Sequence, residues 1–85
     1  MDIELDKDGV PVDREAVKGR EFVHFKGGRY RLVDFASDSE TLEPTVVYRA
    51  LYGEGGLWVR PAKMFFETVQ RDGYCGPRFA MVERV

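Results

Sequence analysis

Few residues in this chain have the types and spacing that catalysis or metal binding requires. Among the 85 residues, histidine and cysteine each occur once, as His24 and Cys75, some fifty positions apart. A structural zinc site needs about four Cys, His or acidic ligands in a closed geometry. The glycines near positions 27 and 55 lie between strand-like segments, so they predict turns and not phosphate-binding loops. We therefore predict no metal site and no cofactor.

General acid–base chemistry by His24 and Glu40 is the best enzymatic interpretation that the residues offer. It requires the fold to bring the end of one predicted strand beside a polar loop. A Cys75–His24 nucleophilic dyad is a weaker alternative. We favour a third interpretation, in which His24 is an ordinary strand residue hydrogen-bonded at the rim of the fold. A lone histidine without a positioned partner is a weak catalytic signal, so we assign no catalytic residue.

Binding is the more plausible chemistry, because residues 45–61 contain the single Trp, two of the four Tyr and two Arg. Alternation places Trp58 and Arg60 on one strand face, with Tyr48 on the neighbouring strand. Such a patch can stack a base, an aromatic side chain or a proline-rich peptide. The alternative is that Tyr48 and Trp58 simply fill the core, since small domains depend on large aromatics. The predicted binding residues are Tyr48, Trp58, Arg60, Arg49, His24, Lys26, Tyr30 and Glu40.

Arg49 and Arg60 each fall in the middle of a predicted strand. A guanidinium does not face a dry core unless it is paired. We therefore expect an internal salt bridge to Glu40 or Glu43, or else plain exposure. A cluster of basic residues between Lys18 and Arg31, which includes Lys26, forms a predicted basic rim.

Short strand-like segments joined by glycine turns predict the elements that position these residues. Residues 21–25 and 30–36 form a hairpin, with a bulge near Asp34 because the alternation changes phase there. Residues 45–52 and 57–60 form a second hairpin, and Pro61 begins a single helical turn. Asp72-Gly73 predicts a third hairpin turn before a last edge strand. The pattern predicts a mostly β fold, specifically a small SH3-like barrel of about five to six antiparallel strands with one short helical turn. An open, strongly twisted sheet is the alternative.

Charge and composition limit the remaining possibilities. Residues 1–17 carry a net charge of −4 and residues 18–85 a net charge of +2. We expect residues 1–17 to be an acidic, flexible segment and residues 18–85 to form a single domain. No apolar run approaches the ~20 residues of a membrane span, and one cysteine cannot form an internal disulfide. We expect a cytoplasmic protein.

Several blocks keep a recognisable order: residues 24–30, 39–41, 46–53 and 58–65, the last beginning Trp58-Val59-Arg60-Pro61. On these blocks, from Phe22 to Val69, the chain resembles a bacterial family of uncharacterised proteins, domain of unknown function family 1653. The resemblance implies a small bacterial cytoplasmic domain. It implies no reaction, ligand or catalytic residue.

Our leading functional hypothesis is a non-catalytic binding module for a protein segment or a single-stranded nucleic acid, with no membrane partner. The alternatives are a small enzyme that uses His24 and Glu40, and a structural domain that dimerises through a strand edge.

Overall fold

The computed structural model describes residues 3–83, which form seven strands and one short helix. The elements are β1 (Glu21–His24), β2 (Arg29–Ser37), β3 (Pro44–Ala50), β4 (Leu57–Pro61), α1 (Ala62–Phe65), β5 (Thr68–Arg71), β6 (Tyr74–Pro77) and β7 (Phe79–Met81). The mostly β class and the single helical turn after Pro61 are therefore confirmed.

Two antiparallel sheets contain these strands. The larger sheet has the order β4-β3-β2-β1-β7, and β5 and β6 form a separate hairpin. All three predicted hairpins are present. At the third, Asp72 and Gly73 have φ angles of 49° and 81°, the paired left-handed conformation that favours Asp-Gly in tight hairpin turns. Among residues 3–83 the strand pairs do not close a ring, so the SH3-like barrel is not confirmed.

The predicted bulge lies in β2, where the register to β3 shifts between Leu32 and Asp34. Before it, Leu32 lies opposite Tyr48, and after it, Phe35 lies opposite Val46. Without the additional residue, the alternation of side chains would turn Phe35 away from the core. The bulge therefore keeps both ends of a nine-residue strand facing the same interior.

The core lies on one face of the five-stranded sheet, which we call the inner face. Phe22, Leu32 and Val46 from this face are completely buried, and so are Ala62 and Phe65 of α1. Phe79 of the edge strand β7 packs against Phe65 of α1, with ring centres 4.1 Å apart. Its position shows that the sheet is strongly curled. The same Phe79 ring lies 5.5 Å from that of Tyr48 in β3.

Residues ahead of β1 also contribute to the core. Val10 and Val17 are buried with relative exposures of 1% and 2%. Gly9 adopts φ +77°, and a Cβ there would lie 3.3 Å from the Cα of Lys63, so the chain passes close to α1. The flexibility expected of residues 1–17 stays a prediction, as does the boundary at residue 17, but in packing these two valines belong with residues 18–83.

Candidate functional site: an arginine among aromatic rings

Arg60 lies on the inner face near the edge of the sheet, because its position in β4 is directly opposite the buried Val46. Trp58, two residues earlier, is directly opposite Tyr48. Opposed residues of an antiparallel pair project to the same side. The structure therefore places Tyr48, Trp58 and Arg60 on one face of neighbouring strands, as the sequence predicts.

The three side chains differ in burial. Tyr48 is 5% exposed and belongs to the core, whereas Trp58 is 58% exposed. The core interpretation is thus correct for Tyr48 and wrong for Trp58. Trp58 lies on the edge strand β4, and no further strand within residues 3–83 covers its ring. An exposed indole of this size is available for contact with a partner.

Arg60 is partly buried between two aromatic groups. Its Nε donates a hydrogen bond to the Tyr48 hydroxyl at 3.3 Å, and its guanidinium carbon lies 5.7 Å from the centre of the Phe79 ring. This distance is within the range of a cation–π contact. These two contacts hold the guanidinium in place, which lowers the entropic cost of using it to bind a ligand.

The expected internal salt bridge does not form. Within residues 3–83, no carboxylate lies within 4.0 Å of either Arg60 or Arg49. Glu43 pairs instead with Lys63 at 3.1 Å. The terminal nitrogens of Arg60 make no hydrogen bond to the described part of the chain. They are not fully buried either, because no fully buried side-chain nitrogen in these residues lacks a partner. Arg60 is consequently a positioned cation whose planar donor pair is open to solvent.

His24 adjoins this group at the end of β1. Its ring centre lies 4.9 Å from that of Phe79, and its Nδ1 accepts a hydrogen bond from the Lys26 amide at 3.1 Å. Burial lowers the pKa of His24 below its ordinary value of 6.5. The positive charges of Arg60, Arg78 and Lys26 lower it further. His24 is therefore neutral at pH 7 and adds no competing charge beside Arg60.

Tyr30 completes the aromatic surroundings. Its ring lies 5.3 Å from Tyr48 and 5.6 Å from Phe79, and its hydroxyl is 2.6 Å from that of Tyr52. Burial, followed by the hydrogen bond to Tyr52, raises the pKa of Tyr30 to about 12. The Tyr30 hydroxyl is thus a neutral donor and acceptor at physiological pH. We call Arg60, Tyr48, Trp58, Phe79 and His24 the Arg60 site.

Arg49 and Glu40, which the sequence places with the binding residues, lie away from this site. Arg49 is opposite Leu57 on the other face of the sheet, where its Nη1 donates to the Gly55 carbonyl at 2.6 Å. Glu40 lies in the loop beyond the far end of β2, whereas His24 lies near the beginning of that strand. The length of β2, about 25 Å at ~3.3 Å per residue, separates them. The structure therefore does not bring His24 and Glu40 together as an acid–base pair.

Sequence reasoning missed Phe79, whose ring lies close to Arg60, His24, Tyr48 and Tyr30. It interpreted the chain after Tyr74 as an edge strand at the surface. The available signal was the alternation of Phe79, Ala80 and Met81, in which the first and third residues face inward. Arg78 was also missed; its Nε donates to Glu67 at 3.1 Å.

A separate concavity of about 470 Å³ lies beside α1. Its rim carries Lys7 and Asp8, of opposite charge, together with the paired Lys63 and Glu43. Its two positive and two negative side chains balance, so its net charge favours neither an anionic nor a cationic ligand. Elsewhere in residues 3–83, no group of three or more His, Cys, Asp or Glu side chains is placed to hold a metal ion. No helix in the same range has the length and hydropathy to cross a membrane.

The fold and the Arg60 site define a small all-β domain in which Arg60, at a sheet edge, is held by aromatic side chains and has no carboxylate partner within residues 3–83. Residues 20–81 match the family described as "Protein of unknown function (DUF1653)", and the chain belongs to this family. The crystal structure of a DUF1653 protein from Bordetella bronchiseptica is similar, with 32% identity and a TM-score of 0.71. The likeness covers 86% of this chain and 96% of that one. Comparison with curated proteins found no match. The family resemblance predicted from the sequence is confirmed.

Proposed function

We propose that this chain is a non-catalytic binding module whose ligand is an extended segment of a protein that carries a carboxylate. The observation that supports this is the state of Arg60. Its guanidinium is partly buried, held by Tyr48 and Phe79, and lacks a carboxylate partner within residues 3–83. A planar guanidinium favours bidentate pairing with a carboxylate, and partial burial strengthens such a pair relative to one in open water.

The strand edge beside Arg60 favours an extended ligand. β4 is the outermost strand, and three successive large residues on it are exposed: Leu57 by 55%, Trp58 by 58% and Val59 by 67%. Natural sheets protect such edges with charge, proline or bulges, because an open apolar edge invites another strand. In β4 the charged residue, Arg60, and the proline, Pro61, are the last two residues, so the first three positions of the strand lack this protection. An added strand would gain main-chain hydrogen bonds along β4, with a carboxylate side chain within reach of Arg60.

Single-stranded nucleic acid is the less favoured ligand. Trp58 offers a surface on which a base can stack. However, the chain has a net charge of −2 and a pI near 5.4, whereas nucleic-acid-binding domains commonly have a pI above about 9. A dimer through two β4 edges would use the same strand, and it is an outcome of the experiment below.

Two finer sequence predictions belong with this proposal. An SH3-like fold is supported by the strong curl of the sheet, which brings Phe79 of one edge to Arg60 of the other. A cytoplasmic location is supported by Cys75, an exposed free thiol that is the single cysteine of the chain.

The experiment uses short peptides of alternating valine and threonine that are acetylated at the N-terminus, amidated at the C-terminus and end in aspartate, and twins that end in asparagine. We expect the aspartate peptide to shift the amide resonances of residues 57–60 and the Trp58 indole resonance in ¹⁵N-labelled protein. We expect about a tenfold loss of affinity with the asparagine twin and with Arg60→Gln, because each removes one partner of a charge-assisted pair. Arg60→Lys should recover part of the loss.

Arg71 provides the matched control, since it is an exposed arginine on the other sheet and Arg71→Gln removes the same charge. Equal affinity for the two peptides would overturn the proposal, as would equal effects of Arg60→Gln and Arg71→Gln. Binding of oligothymidylate with a steep salt dependence, in the absence of peptide binding, would establish the nucleic-acid alternative instead. Dimerisation that disappears in Arg60→Gln or Val59→Glu would establish the structural alternative.

A further inference from the structure

A second surface lies on the opposite side of the sheet, and we call it the outer face. In one row across the strands, Arg31 of β2 lies opposite Arg49 of β3, which in turn lies opposite Leu57 of β4. In the next row, Val47 lies opposite Val59. Val33, at the bulge, is 43% exposed. Apolar side chains and two arginines thus share one side of three adjacent strands.

Neither arginine has an ion-pair partner within residues 3–83, although Glu21 of β1, which pairs with Arg29, lies opposite Arg31 in the same row. Arg31 donates from Nη1 to the Gly19 carbonyl at 2.8 Å, and Arg49 donates to the Gly55 carbonyl at 2.6 Å. Within residues 3–83 neither has a carboxylate within 4.0 Å. Nearby cations are already paired, Arg29 with Glu21 and Lys18 with Asp34. Like charges directly opposite each other destabilise a sheet, so their placement points to a role outside the stability of the free chain.

We propose that the outer face binds an acidic amphipathic helix of another protein. The backbone groups in the interior of a sheet are already hydrogen-bonded to neighbouring strands, so a segment on this face must satisfy its own backbone groups. A helix does so within itself, and helices commonly pack on the apolar face of an antiparallel sheet. Its apolar stripe would cover Val47, Val59 and Leu57, while its acidic residues would meet Arg31 and Arg49.

Charge and side-chain type disfavour other occupants. The outer-face positions of β2, β3 and β4 carry no aromatic ring on which a base could stack. A second copy of the chain in an isologous contact would bring the same two arginines to both sides, and the outer-face carboxylates of Glu21 and Asp34 are already paired with Arg29 and Lys18. An acidic partner complements the two arginines.

The test uses a designed helix of about 18 residues with leucine on one face and glutamate along both flanks, long enough to be partly helical alone. Its twin has glutamine in place of glutamate. We expect the glutamate peptide to shift amide resonances of Arg31, Val47, Arg49 and Val59. The double variant Arg31→Gln/Arg49→Gln should weaken its binding about tenfold and leave binding of the glutamine twin unchanged, because only the former depends on the two charges.

Three controls separate this surface from the Arg60 site. Val59→Ser should weaken binding of both peptides, and since Val59 is 67% exposed the fold should tolerate the change. Arg71→Gln and Arg60→Gln should leave binding of the glutamate peptide unchanged. The proposal is wrong if the two peptides bind equally, if neither shifts the outer-face resonances at millimolar concentration, or if Arg60→Gln weakens binding as much as the double variant.

Discussion

The guanidinium carbon of Arg60 lies 5.7 Å from the ring centre of Phe79, although the two residues belong to β4 and β7, the opposite edges of one five-stranded sheet. In a flat sheet of this order three strands would separate them, with neighbouring strands about 4.8 Å apart. Their contact is therefore a direct consequence of the curl. It assembles the Arg60 site from residues that are distant in sequence.

Phe79→Ala should be severely destabilising. Phe79 is 2% exposed and stacks on Phe65, and truncating such a residue costs about 3–5 kcal/mol. That is a large part of the roughly 4–13 kcal/mol expected for a domain of this length. Urea unfolding followed by circular dichroism gives the free energy of unfolding. Leu57→Ala, on an edge strand but 55% exposed, should change it by less than about 1 kcal/mol. Similar costs for the two variants would contradict the core position of Phe79.

The fluorescence of Trp58, the single tryptophan, should report an aqueous environment. We expect emission at the long-wavelength end of the tryptophan range and efficient quenching by acrylamide, because the side chain is 58% exposed. Binding of the aspartate peptide should shift the emission to shorter wavelength and reduce quenching. A short-wavelength, poorly quenched emission from the free protein would contradict the exposed position and remove Trp58 from the site.

Stability should fall as the pH falls below about 6.5, because the pKa of His24 in the folded chain is lowered by burial and by neighbouring cations. The unfolded chain then binds the proton more readily, so the stability present above pH 6.5 is lost as the pH drops towards the folded pKa. His24→Gln should flatten this part of the profile of urea midpoint against pH. The lowered carboxyl pKa values of Asp34 and Asp38 act only below about 3.8, outside this range. An unchanged profile in the variant would show that another group is responsible.

One tyrosine should titrate late. With its pKa raised to about 12, Tyr30 stays neutral in the folded chain up to high pH. The associated stability is present below pH 10 and is lost as the pH rises from about 10 to about 12. In an ultraviolet titration, Tyr52→Phe should move this last step to lower pH by removing the hydrogen bond. Tyr74→Phe, whose hydroxyl donates instead to the Pro77 carbonyl, should not move it. If both variants behave alike, the Tyr30–Tyr52 bond is not the cause.

Local features of the fold were predictable from the sequence. The Asp72-Gly73 turn, the bulge at Asp34 and the helical turn after Pro61 each depend on a few adjacent residues. In the loop after β2, the Asp38 carboxylate accepts the amides of Glu40 and Thr41, at 2.8 and 3.0 Å. A short acidic side chain at the start of a turn competes well for these donors.

The composition of the Arg60 site was only partly predictable. Strand alternation correctly grouped Trp58 with Arg60, because it depends on the chain alone. The exposure of Trp58 and the contact between Phe79 and Arg60 depend on the degree to which the sheet curls. That curl cannot be read from any short segment of the sequence. Arg49 was misplaced for a different reason: it directly follows Tyr48, so strand alternation alone puts it on the other face. The separation of Glu40 from His24 follows from the length of β2 between them.

Val10 and Val17 are core residues that lie outside the range of the chain that matches the family. The residues that match the family begin at position 20, yet these two buried side chains precede it. A fragment cut to residues 20–81 would leave uncovered the hydrophobic surface that both valines seal, and we expect it to aggregate or to unfold at lower temperature. We therefore expect independent folding to require residues ahead of the range that matches the family.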